Sequence, residues 1–262
     1  MGGALGAAGL LGGAAQLVSI ASAFYLGGRL IRRGVTRNAA PELLLGLHLA
    51  LAIGVGSLLL TVVAISAYAD VGASAASLSR VALAGNVVTV FGLMSALWFN
   101  YRVFHAGSGA GALFAGVGSL AMWGGLAHFI ASGGLDNPGE FGAAYYPFCA
   151  AQVAADLWVA GEAIHFRAQM KRRLALGLVE PVVVERLGLW GYGALARIGL
   201  VTMAPIVNGL ALSHEQRSEI APALLVVSSL LIASTCVAYW LMLSPTQSYL
   251  RWVERRYAIA RS

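Results

Sequence analysis

Charge is what this 262-residue sequence has least of: 11% of its residues are Asp, Glu, Lys or Arg, against 59% hydrophobic. A water-soluble domain carries roughly 25% charged residues, so a soluble fold is excluded and a polytopic membrane protein is expected. The mean hydropathy of +0.77 agrees. Lysine is almost missing: the net charge of +6 comes from sixteen arginines and Lys171 against eleven acids. These basic residues sit in short connections rather than on one face of a domain, which excludes nucleic-acid binding. Cysteine is limited to Cys149 and Cys236, both in apolar segments at different depths. A disulfide is not expected, and no C-x-x-C metal spacing exists. The N-terminal stretch lacks the basic region of a signal peptide and has Gly6 where myristoylation needs Ser or Thr, so it reads as a first span.

What is present is a series of long apolar runs. A span needs ~20 mostly apolar residues. The sequence offers seven, at about 5–28, 43–67, 82–104, 111–132, 146–167, 187–210 and 221–243. The expected fold is all-α: residues 1–243 form one seven-helix transmembrane bundle, and 244–262 form a helix and tail. Nothing is left for a water-side catalytic module. The first loop carries Arg29, Arg32, Arg33 and Arg37, the third Arg102 and His105, and the fifth Arg167, Lys171, Arg172, Arg173 and Arg186. The tail adds Arg251, Arg255, Arg256 and Arg261, whereas the fourth loop holds only Asp136 and Glu140. The positive-inside rule places the N-terminus outside and the C-terminus in the cytoplasm. The basic inner loops are expected to meet anionic lipid headgroups.

Local patterns add detail. "SPTQ" (Ser244–Gln247) reads as a capping box, with Pro245 at the first helical position. Behind it Leu250, Val253 and Tyr257 share one face, as in a short interfacial helix on the inner leaflet. "GSGAGALFAGVG" lacks the ending of a phosphate loop. Small residues four apart, such as Gly9 with Gly13 and Gly107 with Gly111, read as helix-packing positions. Basic runs ending at Arg33 and Arg173 each precede a proline that opens a span, Pro41 and Pro181, as a 3+1+3 transporter repeat would have it.

Seven spans, an outside N-terminus and an interfacial C-terminal helix resemble the topology of rhodopsins and G-protein-coupled receptors. A retinal protein requires a lysine in the seventh span; "APALLVVSSLLIASTCVAYWLML" has none, so no retinal is expected. "FNYRVFH" lacks the acid of the receptor Asp-Arg-Tyr motif. "PELLLGLHLALAIGVG" and "KRRLALGLVEPVVVERLGLWG" look like segments of seven-helix inner-membrane proteins of bacteria. That resemblance implies a bacterial inner (plasma) membrane and brings no activity with it.

The ionisable residues within the spans locate the function, because a charge in the bilayer centre is costly. Asp156 lies ~15 Å into the fifth span, and Arg197 reaches a similar depth in the sixth. Neighbouring antiparallel helices make them natural partners. Gln152 shares a face with Asp156, and Asn208 shares one with Arg197. Asn86 and Asn100, with Thr89, mark a stripe on the third span; Ser228, Thr235 and Tyr239 mark one on the seventh. The expected ligand or ion-pair site is thus Asp156, Arg197, Gln152, Asn208, Asn86 and Tyr239. Nearer the inner surface His48, Glu162, His165 and His105 form a possible titrating, metal or haem cluster, although no ligand spacing such as H-E-x-x-H is present. No metal or other cofactor is otherwise expected. The leading expectation is a receptor or sensor that binds a small ligand or a proton and signals to a cytoplasmic partner. The alternative is a small-solute or proton-coupled transporter, and a haem or metal enzyme of the membrane comes third.

Overall fold

The computed structural model describes residues 2–68, 74–136, 143–209 and 214–259. Among these there are helices and turns and no strand. In chain order they are α1 (Gly2–Thr36), α2 (Ala40–Leu47), a π-helical stretch His48–Gly56, α3 (Ser57–Tyr68), α4 (Ala75–Phe104), α5 (Gly109–Ala131), a 3-10 turn Ala143–Tyr145, α6 (Tyr146–Ala175), α7 (Pro181–Gly209), α8 (His214–Leu243) and α9 (Gln247–Ile259). α2, the π stretch and α3 run on as one rod.

Among the described residues six segments are long and apolar enough to cross a membrane: Gly9–Thr36, Ala40–Ser66, Ala75–Phe104, Gly109–Ala131, Pro181–Val207 and Ile220–Leu243. The seventh expected span, α6, is equally long, but Gln152, Asp156, Glu162 and His165 dilute its apolar content. The helices extend past the apolar runs because the flanking sequence still favours helix. In α6, Gln169, Met170, Lys171, Arg172, Arg173 and Leu174 are all good formers.

Consecutive helices lie side by side, and α8 returns to α1, closing a ring. The outside of the ring is oily: Leu10, Leu17, Leu113, Phe114, Leu120 and Leu230 are all exposed. The inside is built from two apolar clusters. Leu26, Leu45, Leu49, Trp190 and Tyr239 join α1, α2, the π stretch, α7 and α8, while Val90, Leu93, Met122 and Leu126 join α4 and α5. α6 belongs to both, through Val159, Ala160 and Ala163 on one side and Phe148 and Ala155 on the other. The most polar helix is therefore the one most needed by the interior.

Glycine sets how close the rods come, although not at every expected position. Gly9 and Gly13 face open space. Gly107 is a turn residue at φ +83°, where the backbone favours glycine. Gly111 does lie close, against the side chains of His105 and Tyr101, and the tightest backbone contacts fall elsewhere. A side chain at Gly46 would meet the backbone of Ile31 at 2.7 Å, and one at Gly92 would run into the backbone of Ala52 in the π stretch. α1 thus packs against α2, and α4 against the π stretch, with almost no side chain between.

The tail also differs in detail from expectation. The residue that caps α9 is Thr246, whose hydroxyl accepts from Tyr249 N at 3.2 Å. Ser244 instead closes α8, its N–H donating to Trp240 O at 2.7 Å, and its hydroxyl accepts from Arg29 Nη1 at 2.7 Å. The apolar face of α9 lies against α7, with Val253 fully buried.

Gly92→Val is expected to cost about 1–3 kcal/mol by forcing α4 off the π stretch. Gly116→Ala, at a position facing open space, should leave stability unchanged or slightly raised. Thermal unfolding of the purified protein in detergent compares them; equal effects would sink the packing argument.

Candidate functional site

Arg197 is carried by α7 into the middle of the ring, where its side chain is 12% exposed and that of Asp156 on α6 is 8% exposed. Its Nε stands 3.4 Å from both carboxylate oxygens of Asp156. Nη1 lies 3.3 Å from His48 Nε2, at the start of the π stretch. His48 Nδ1 is in turn 3.0 Å from the Gly92 carbonyl oxygen on α4. These partners assign the imidazole protons. A carbonyl only accepts and a guanidinium only donates, so Nδ1 carries the hydrogen and Nε2 presents a lone pair to Arg197. The ring is held neutral. Glycine at 92 is what brings that carbonyl within reach.

Aromatic rings enclose the histidine. Trp190 stands edge-on at 6.3 Å between centroids and Tyr239 at 6.5 Å, with Phe99 against Trp190 at 5.2 Å. The Tyr239 side chain also faces Arg197. Four helical rods thus meet at one guanidinium.

On the other side of Arg197 lies a cavity of about 180 Å³. Arg197 and Gln152 line it, as do Gln16 on α1, Ser57 on α3, Thr89 on α4 and Thr235 on α8. Among the described residues Arg197 is the one charged group in that lining. The volume is below the ~300–1,000 Å³ of drug-sized sites, so it suits a compact guest.

Of the residues expected to form the site, Asp156, Arg197, Gln152 and Tyr239 are brought together. Asn86 is buried but spends its amide on its own helix, donating Nδ2–H to Ala82 O at 2.9 Å. Asn208 lies outside the residues whose side chains are described. On α8 the buried hydroxyls are Ser229 and Thr235, while Ser228 is only half-buried. Asn100 is fully buried, and neither amide atom has a hydrogen-bond partner among the described residues.

The inner histidines are not brought together. His48 belongs to Arg197. His105 Nε2 pairs with Glu162 Oε1 at 2.9 Å and stacks on Trp158 at 6.0 Å. His165 Nε2 meets Gln169 Nε2 at 2.8 Å on an exposed face. Glu162 and His165 are set ~60° apart around α6, so they serve different neighbours. Among the described residues no three His, Cys, Asp or Glu side chains form a group that could hold a metal ion.

Sequence reasoning missed two features. The first is that His48 joins Arg197: depth counted along the backbone put the two on different levels, but an arginine side chain spans several ångströms. The second is Glu185, buried near the start of α7. Its Oε1 accepts from the Tyr257 hydroxyl of α9 at 2.5 Å and from Arg167 Nη2 of α6 at 3.4 Å. Arg256 Nη1 of α9 lies 3.6 Å away. Burial and the neighbouring Glu185 carboxylate push the Tyr257 hydroxyl up to about 12, so it remains a donor at any physiological pH. A lone acid one turn after Pro181, amid arginines, was the available signal.

No protein-family model, curated protein or solved structure matches this chain. The site must therefore be read from its own chemistry.

Asp156→Asn leaves the guanidinium buried without its anion and is expected to cost about 3–5 kcal/mol. Adding Arg197→Gln should recover much of that loss. Unfolding of the single and double variants in detergent forms the cycle; strictly additive losses would mean the pair is not coupled.

Proposed function

We propose that this chain is a seven-span receptor of a bacterial inner membrane, with its N-terminus outside, that takes a small polar solute against Arg197 and reports occupancy to a cytoplasmic partner. α6 serves as the seventh span, its charges matched by partners within the ring. One observation carries the reading: α7 holds both Arg197 and Glu185, twelve residues apart, or ~18 Å along the axis. A guest that draws on Arg197 alters the helix whose other end grips α9. Released or shifted, α9 presents Trp252, Arg251 and Arg255, all exposed, to headgroups or to a partner. The basic last turns of α6, with Lys171, Arg172 and Arg173, lead into the same end.

Orientation is tested by thiol labelling in a background lacking Cys149 and Cys236. Ser132→Cys, in the α5–α6 connection, should react in intact cells, and Arg172→Cys only after permeabilisation. The reverse pattern would invert the topology.

Coupling is tested in two stages. A thermal-shift screen of metabolites should find a compound that stabilises the wild type and not the Asp156→Asn/Arg197→Gln pair. That compound should change hydrogen exchange across Gln247–Ile259 in the wild type, and Glu185→Gln should abolish this change while preserving binding. Binding with α9 exchange unaltered counts against a receptor. Accumulation of the compound in proteoliposomes would make the chain a transporter instead.

A further inference from the structure

Resting on the reading of the central cavity as a ligand site, we infer that its guest is a small carboxylate with a hydrogen-bond donor on its α-carbon. This is the chemistry shared by α-amino and α-hydroxy acids. Most hydroxyl hydrogens of the lining are already committed. Thr89 donates its hydroxyl hydrogen to Gly85 O at 2.8 Å, Thr235 to Leu231 O at 2.8 Å, and Ser57 to Ala52 O at 3.3 Å. A hydroxyl has one hydrogen, and all three have spent it on their own helices. What they offer the cavity is lone pairs.

Arg197 offers the opposite. It can only donate, and it carries the one charge in the lining, because Asp156 sits behind the guanidinium and does not line the cavity. The cavity therefore has a cationic donor at one place and acceptors from α3, α4 and α8 at others. A guest that satisfies both needs an anionic end and a donor group. Ser19, also in the lining, has a hydroxyl that can donate as well as accept, and like the amides of Gln16 and Gln152 it imposes no sign.

Arg197 also has capacity for a second carboxylate. Its 3.4 Å separation from Asp156 is well beyond the ~2.7–2.9 Å of a tight charge-assisted bond. Guanidinium favours a planar two-oxygen partner, which a carboxylate supplies and an ammonium or a sugar hydroxyl does not. The volume of about 180 Å³, with Ile53 and Leu200 in the wall, leaves room for a short apolar side chain and little more.

The test is calorimetry on the purified full-length protein in lipid nanodiscs with four probes: L-alanine, L-lactate, propionate and ethylammonium. L-alanine and L-lactate should bind. Propionate, which lacks the α-donor, should bind about tenfold more weakly, and ethylammonium should not bind. Thr89→Val with Thr235→Val should level L-lactate and propionate. Arg197→Gln, made with Asp156→Asn to keep the interior neutral, should lose about hundredfold for all binders. If the threonine variant does not fold, the ranking on the wild type decides alone.

Propionate binding as tightly as L-lactate would overturn the donor requirement. Ethylammonium as the tightest probe would overturn the assigned polarity. None of the four binding would sink the proposal, even if the metabolite screen finds another compound at Arg197. That last result would leave the ligand-site reading standing, and exchange at α9 judges the receptor reading separately.

Discussion

One guanidinium holds the interior of this protein together. Arg197 cannot lose its proton and is only 12% exposed where α7 places it, so the ring must supply its counterparts. α6 supplies a carboxylate and the π stretch an imidazole lone pair, with the Tyr239 ring of α8 beside them. Each is meaningful only because of the cation. Without Arg197, the Asp156 carboxylate would be an unmatched buried charge, and the lone pair of His48 Nε2 would lose its donor. The constraint extends outward: His48 is anchored by a carbonyl that only a glycine at 92 lets approach.

Much of this arrangement was legible in the sequence. Apolar length located the helices, and the alternation of arginine between loops gave their expected sense. Depth counted along adjacent helices matched Asp156 with Arg197. Three kinds of information were not legible. Apolar content suggests the run 146–167 as a span, yet α6 falls outside the six segments apolar enough to cross, and the partners of its polar residues are carried by other helices. His48 was assigned to the wrong neighbours, because residue counting tracks the backbone while the bond is made at the end of a long side chain. The glycines that matter, Gly46 and Gly92, show no spacing that separates them from Gly9 and Gly13; what distinguishes them is which helix lies opposite.

The same distinction between backbone and side chain governs the cavity. Its polar residues would all count as generic hydrogen-bonding groups in a sequence. Their bonds to Gly85, Leu231 and Ala52 give them a sign. In lipid, a serine or threonine in a helix commonly turns its hydrogen back to the preceding turn. A membrane cavity lined by such residues is therefore richer in acceptors than its composition implies, and a single arginine balances it.

The neutral tautomer of His48 has an electrical consequence. An ion pair and an uncharged ring together carry no net charge, so sliding them as a unit along the membrane normal does no net work against the transmembrane potential. A single unmatched charge at that depth would feel up to ~2.3 kcal/mol per 100 mV. With the three groups held together, the centre of the bundle by itself moves no net charge, and any voltage dependence enters with the charge of the guest.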